Sequence, residues 1–526
     1  MKNKIQIIIM LFGISTFFIS CKESSTSEPA KELSADSEPE QVSFDSVSLA
    51  AFFTKHPKLK KYESQVQALY HKRQWHYIWY DDKGINELAD LLYNKINTIG
   101  EEGINASIPY KEQLETIFLK HSDSKPDTNK EYLISATYFF YTDKVFNGLD
   151  VKTRQELGWY LPKKKLSYVN YLDSLIADPK RINKDEKEVL GQYYHLKSAL
   201  LRYREMEKKS DWDSIPFDPK MDPLVVGDSS DIVPKIRRRL FALENLTINS
   251  KSKVYDQKMA RAVLRYKTSI GLVPSKKISA KMLAALNVPI AEKIKTIMVN
   301  MERCRWIPND ITKAKEYIVI NIPSYQLTYF KKGEPVLRSN VVVGKVMNQT
   351  VVFSGMMKFI VFSPYWNVPK SIVEKEIKPA LEKNKNYLEE HNMEKINGQI
   401  RQKPGPENSL GLVKFLFPNS NNIYLHDSPA KSLFDRTHRA FSHGCIRVAK
   451  PQELANMILE DDTAWTPEKV DSIMHGGKET WYTLKEKIPV YIGYFTAWVD
   501  DEDKIHFYDD IYKRDKRLAA LIFNKK

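Results

Sequence analysis

Apolar positions along the first half of the chain recur at helical spacing. Leu59, Tyr62, Val66, Leu69 and Tyr70 form one stripe, and Leu88, Leu91, Leu92 and Ile96 another. Such i, i+3, i+4 recurrence predicts amphipathic helices. Residues 185–208 predict a long helix with Val189, Tyr193, Leu196 and Leu200 on one face. The span 43–219 therefore reads as a helical scaffold domain, in which Trp75, Trp79 and Tyr80 are expected to be core. From 220 to 290 the helices become short. A polar turn at Gly227-Asp228-Ser229-Ser230-Asp231 can cap a first helix carrying Ile232, Ile236, Leu240 and Leu243. Tyr255-Asp256 opens a second with Met259, Val263 and Tyr266, and Ser279 starts a third that runs to Leu286.

After residue 300 the period changes from that of a helix to that of a strand. Tyr317–Ile322 and Tyr325–Phe330 are β-branched and aromatic, with Lys332-Gly333 as a hairpin turn before Val341-Val342-Val343. Met357–Phe362 predicts a further strand, and 371–397 a helical insertion. The expected fold class is α+β and multidomain. It comprises the scaffold, a three-helix module, a β-rich domain at 300–450 with a helical capping insertion, and a C-terminal helix and strand extension at 451–526.

The 526 residues carry a formal net charge of +15 and are 42% hydrophobic, enough for several globular cores. The charge suits an acidic partner. The chain has no zinc-finger spacing, RRM-like aromatic motif or other nucleic-acid signature, so nucleic acid is not the expected one. Lys2 and Lys4 precede an apolar run from Ile5 to Ile19, which reads as a secretory signal peptide over residues 1–20. Cys21 follows Ser20 as in a lipidation site, although Phe18 stands where an aliphatic residue is usual. Residues 21–42 carry almost nothing apolar and read as a disordered tether. The expected location is the cell envelope, as a periplasm-facing lipoprotein held to the membrane through Cys21. Beyond Cys21 there are two cysteines, Cys304 and Cys445, which either pair in a disulfide or do separate work.

The candidate chemistry concentrates between Ile423 and Val448. Ile423-Tyr424-Leu425 is an apolar run ending in His426-Asp427, followed by Arg439 and then Ser442-His443-Gly444-Cys445-Ile446-Arg447. Thiol acyl transfer needs a thiolate, a base for its proton, oxyanion donors and cations that favour the thiolate. His443 lies two residues before Cys445 and Arg447 two after, hence on its side of an extended chain. Gly444 permits close backbone approach. His426, His443 and Cys445 could also suggest zinc, but no fourth ligand stands at short spacing, so no metal is expected.

The Ser-His-Gly-Cys-Ile-Arg run with an upstream His-Asp resembles the L,D-transpeptidase family with its YkuD-type catalytic domain. Asn321–Leu327, Tyr365-Trp366-Asn367-Val368-Pro369, Gln402–Pro406, Val413-Lys414-Phe415 and Phe417-Pro418-Asn419 resemble its large periplasmic subgroup, which adds a scaffold and a peptidoglycan-binding module. The module at 220–290 is similar to that binding unit, with its Gly-Asp-Ser start and Leu-Asn-Val-Pro end. The resemblance implies Cys445 as nucleophile and either His426 or His443 as base, with His426 preferred. It implies Gly444 and Cys445 as oxyanion donors. Asp427 would orient an imidazole, and Arg447, Arg439 and Ser442 would contact substrate. Tyr365 and Trp366 would line a groove under a lid at 371–397. The implied substrates are peptidoglycan stem peptides, cross-linked 3→3 without a cofactor, and carbapenem β-lactams are implied as covalent inhibitors. The same thioester resolved by water or by a protein lysine would give a carboxypeptidase or a lipoprotein-anchoring enzyme. A non-catalytic peptidoglycan-binding lipoprotein is the alternative of another class.

Overall fold

Burial of the predicted stripes organises the chain around two separate apolar cores. The computed structural model describes residues 44 and 46–523, apart from 82, 120–124, 162–166, 184–188, 210–211, 308–310 and 312. The expected signal peptide, tether and lipidated Cys21 lie outside the described residues.

One core runs continuously from the helical region into the β-rich region, joining Leu59, Leu69 and Leu92 to Ile320, Val343 and Leu425. The second is confined to the small module, where Ile236, Leu240, Met259, Val263 and Leu283 pack together. Its helices are Val233–Ala242, Gln257–Ser269 and Ala280–Leu286. Asp256 and Ser279 cap the second and third by accepting from the Met259 and Met282 N–H groups. Each such cap is worth about 1 kcal/mol.

Helix Ile290–Arg305 joins the scaffold to the sheet. Its last turn is wholly buried, so its polar groups must be paired. Arg305 Nε donates to the Val145 carbonyl at 2.9 Å, Nη2 to the Glu102 carbonyl at 2.6 Å, and Nη1 to Glu302 at 3.1 Å. The long helix expected over 185–208 spans Gln192–Lys209 in the structure.

The main sheet contains β1 (Glu316–Asn321), β2 (Gln326–Lys331), β3 (Glu334–Gly344), β4 (Ser354–Phe362), β5 (Val413–Leu416), β6 (Leu425–His426), β7 (Ala440–Ser442), β8 (Ile446–Val448) and β9 (Thr480–Gly493). Their order is β7-β3-β8-β6-β5-β4-β9-β1-β2, and β2 pairs back onto β3, which closes the sheet on itself. Alternation along β6 and β8 sends Leu425, Ile446 and Val448 into the core, where all three are fully buried.

The domain boundary at 450 needs correction. β9 lies between β4 and β1, paired from Thr480↔Phe362 to Gly493↔Asn321. A central strand cannot belong to an extension, because without it each neighbour would lose one of its two partners and the sheet would split. The capping insertion is also more than helical. Short helical turns from Lys370 to Glu390 are followed by strands Met393–Ile396 and Gln399–Gln402, and the second of these lies between the first and Trp366-Asn367 in a separate three-stranded sheet.

Candidate active site

Strand register builds the site. β6 and β8 run parallel, with Leu425 beside Ile446 and His426 beside Arg447. One step earlier, Tyr424 accepts the Ile446 N–H at 3.1 Å, which sets Tyr424 next to Cys445. Side chains two apart on a strand share a face, and neighbours in register point the same way. Tyr424, His426, Cys445 and Arg447 therefore form a four-cornered patch on one face of two short strands.

The two described cysteines are both free thiols. Cys304 is wholly buried in helix Ile290–Arg305, and burial pushes its thiol far up. Cys445 is half-buried at the head of β8, so the disulfide alternative is excluded by position. Burial also raises the Cys445 thiol, opposed by hydrogen bonds from the Tyr424 backbone and hydroxyl and by the Arg447 charge. Its Sγ donates to the Asn422 carbonyl at 3.6 Å.

His426 is 4% exposed. Burial, then the charge of Arg447, lowers its pKa to about 4, so the imidazole is neutral at pH 7. Its Nδ1 lies 2.5 Å from the Asp427 carbonyl, which fixes the proton on Nδ1 and leaves Nε2 as the acceptor. Asp427 thus orients the ring through its backbone. Its carboxylate accepts the Leu412 N–H at 3.0 Å and pairs with Lys431.

His443 has a different partner. Its Nε2 meets Glu376 Oε1 of the insertion at 2.8 Å, and the ring is exposed. Among the described residues, no hydrogen bond joins Cys445 Sγ to either histidine.

Three expected roles take another form. The Gly444 N–H donates to Ser442 Oγ at 3.1 Å rather than facing an open oxyanion position, and Ser442 Oγ donates to the Cys445 carbonyl at 2.6 Å. Ser442, buried at 3% exposure, therefore holds the turn and does not face substrate. Gly444 adopts φ 120°, a backbone that a side chain would strain. Arg439 is a backbone clamp. Its guanidinium lies over the Tyr325 ring and donates to the carbonyls of Arg436 at 3.0 Å and Tyr325 at 3.4 Å.

Arg447 remains at the site, with its Nε buried and without a protein partner. Trp366 reaches the site beside the Tyr424 hydroxyl, whose pKa it lowers against the burial that raises it. Tyr365 lies further out, its ring under the Arg401 guanidinium at 4.0 Å.

Sequence reasoning missed Tyr424, Glu376 and Thr350. Tyr424 was legible as the i−2 neighbour of His426. Thr350 was not, because its bond to the Gly444 carbonyl at 2.9 Å spans 94 residues.

Residues 315–473 match the family of YkuD-type L,D-transpeptidase catalytic domains, and residues 64–200 match a scaffold domain. A Haemophilus influenzae protein that carries the L,D-transpeptidase name provisionally is 31% identical over 249 residues, 43% of this chain and 50% of that protein. The chain thus spans half the length of that curated relative. Among solved structures, an L,D-transpeptidase from Mycobacterium smegmatis is 14% identical, covering 34% of this chain and 58% of its own, with a TM-score of 0.19. One from Xylanimonas cellulosilytica is 14% identical, covering 52% and 100%, with a TM-score of 0.18. A third, LdtMt1 in complex with imipenem, is 14% identical, covering 34% and 58%, with a TM-score of 0.19.

Proposed function

For a chain that carries an L,D-transpeptidase catalytic domain at residues 315–473 and a scaffold domain at 64–200, we propose a reaction that cross-links peptidoglycan stem peptides 3→3 through a thioester on Cys445. The observation that carries this reading is the shared face of β6 and β8, which sets a partly accessible thiol beside a neutral, oriented imidazole and a guanidinium.

The steps follow from those groups. His426 takes the Cys445 proton, and the sulfur attacks the carbonyl joining stem residue 3 to terminal D-alanine. The C–N bond breaks, the proton passes to the leaving amine, and D-alanine departs. A side-chain amine of a second stem then attacks the thioester, gives its proton to His426, and the C–S bond breaks to restore the thiol. Burial keeps the thiol mostly protonated at neutral pH, so the base removes the proton as sulfur attacks. Arg447 favours the developing thiolate and is placed to meet a substrate carboxylate. Carbapenems, as strained amides bearing a carboxylate, are expected to acylate the same sulfur. At the other end of the chain, Cys21 is proposed to carry lipid and hold the protein at the membrane, facing the periplasm. Loss of fatty-acid labelling in Cys21→Ser would support that location, and unchanged labelling would refute it.

The test is mass spectrometry of the protein with tetrapeptide muropeptides, wild type beside Cys445→Ala. Release of D-alanine with Cys445-dependent 3→3 dimers supports the reading. Release without dimers points to water as acceptor. Folded wild-type protein with no Cys445-dependent reaction would sink it and favour a binding lipoprotein.

A further inference from the structure

The capping insertion leaves β4 after Phe362 and returns to the sheet at Val413 of β5. Its exit is a strained turn. Ser363 has φ 44°, a left-handed backbone that persists in a residue with a side chain only where the surroundings impose it. The Ser363 N–H donates to the Leu412 carbonyl at 2.8 Å, and its hydroxyl donates to the Met474 carbonyl at 2.8 Å. The Pro364 carbonyl accepts from Asn408 Nδ2 at 3.1 Å. That buried amide also donates to the Lys403 carbonyl at 2.8 Å, which ties the exit of the insertion to its return.

At Tyr365 the hold passes to two charged side chains. The Tyr365 N–H donates to Glu479 Oε1 at 2.9 Å, and the Tyr365 carbonyl accepts from Lys414 Nζ at 3.4 Å. Lys414 and Glu479 stand 3.7 Å apart, with side chains only 12% and 24% exposed. Burial disfavours the Lys414 cation, and Glu479 opposes that. The other Glu479 oxygen accepts the Trp481 indole N–H at 3.1 Å, which fixes the carboxylate from behind. Opposite charges thus hold both backbone polar groups of one residue. Strand register sets them beside the Cys445 patch. Lys414 lies between Val361 of β4 and His426 of β6, and such neighbours have Cα atoms about 4.5–5.5 Å apart and share a face. Trp366, the next residue after Tyr365, pairs with Gln402 in the insertion's own sheet. A shift at Tyr365 is therefore carried both into that sheet and toward the Tyr424 side of the site.

We propose that Lys414 and Glu479 are positioning residues for the capping insertion: by holding the Tyr365 N–H and carbonyl between them, they set where the insertion lies over the Cys445 patch. The consequence for turnover rests on the reaction assigned to Cys445. It falls on the binding of an extended substrate rather than on the chemistry of the thiol. The placement of the insertion itself can be followed without that reaction.

The test is hydrogen exchange by mass spectrometry on the full chain, wild type beside Lys414→Met and Glu479→Ala, with muropeptide kinetics in a second arm. Peptides within 366–402 are expected to exchange about fivefold faster or more in both variants, while peptides covering β6 and β8 keep their wild-type rates. Lys414→Arg, which keeps the cation, is expected to restore most of the protection. In the kinetic arm KM should rise several-fold, with kcat within about twofold of wild type. Unchanged exchange over 366–402 in both variants would overturn the proposal, as would acceleration spread equally through β6 and β8, which would make the pair a general contributor to stability. A fall in kcat at constant KM would overturn it as well. Faster exchange confined to 366–402, in a protein whose wild type turns over no muropeptide, would support the hold on Tyr365 and count against the Cys445 reaction alone.

Discussion

Across β6 and β8, His426 stands directly beside Arg447, and the guanidinium helps burial to hold the imidazole neutral while it favours ionisation of Cys445 two residues away. One cation thus acts on both partners of the proton transfer, in opposite directions. Its removal raises the pKa of the imidazole, because a charged neighbour that disfavoured protonation is gone. It also raises the pKa of the thiol, because a charge that favoured the thiolate is gone.

Arg447→Gln is therefore expected to move both limbs of the kcat/KM profile to higher pH. The acid limb of the wild-type enzyme belongs near pH 4, from His426. In the variant it rises toward the ordinary histidine value without reaching it, since burial is the larger cause. The alkaline behaviour is read separately as the pH dependence of Cys445 alkylation by iodoacetamide, with wholly buried Cys304 silent in the folded protein. An alkylation midpoint that stays put or falls in Arg447→Gln would contradict the assignment of Arg447 beside the sulfur.

The same imidazole makes stability depend on pH. His426 binds its proton less readily folded, at about 4, than unfolded, at about 6.5. Its contribution is complete above pH 6.5 and is lost as pH falls toward 4. That difference corresponds to roughly 3 kcal/mol at full extent, taking about 1.36 kcal/mol per pH unit for a wholly buried group. Urea unfolding of wild type and His426→Gln at pH 7 and pH 4.5 checks this. The wild type is expected to lose more stability than the variant between the two, and an equal loss would show that His426 is not the titrating group.

His443 and Glu376 provide the contrast. Their hydrogen bond joins the motif loop to the insertion, and both side chains are more than a third exposed. Pairs of that exposure contribute well under 1 kcal/mol, so Glu376→Gln should leave the melting temperature within about a degree or two. The expected effect is on KM, through a looser cap. His426→Ala is expected to lower kcat by about 100-fold or more, the range of a positioned general base, and His443→Ala by clearly less. If His443→Ala were the more damaging in kcat, with the fold intact, the base would have to be reassigned.

How much of the site was legible in the sequence depended on sequence distance. His443, Gly444, Cys445 and Arg447 are neighbours in sequence, and alternation alone placed Cys445 and Arg447 on one side. The pairing of β6 with β8 was not visible, because a two-residue strand carries almost no periodic signal and its partner lies 21 positions on. Arg439 looked like a substrate cation since charge is readable and geometry is not; its partners are carbonyls at 324, 325, 434 and 436. β9 was displaced to an extension because its polar stretch through Lys485, Glu486 and Lys487 breaks the strand pattern, where the pairing itself is irregular between Thr483 and Ile488.

Thr350 offers the most local test of how the motif turn is held. Its hydroxyl accepts the Gly344 N–H at 2.9 Å and donates to the Gly444 carbonyl at 2.9 Å, while its own N–H meets Tyr512 at 3.2 Å. The residue is fully buried, so the nearly isosteric Thr350→Val leaves two backbone groups without a partner. Orphaning a buried backbone group costs about 1–3 kcal/mol, and the whole loss is expected within a few kcal/mol. Since the freed carbonyl belongs to the residue before the nucleophile, turnover should fall more steeply than stability predicts. Thr350→Ser keeps the hydroxyl and should restore most of the turnover while giving up only the methyl contact. The check is kcat on muropeptide beside urea midpoints for both variants. If Val and Ser lowered kcat equally, the hydroxyl would not be what positions Gly444, and the loss would belong to packing.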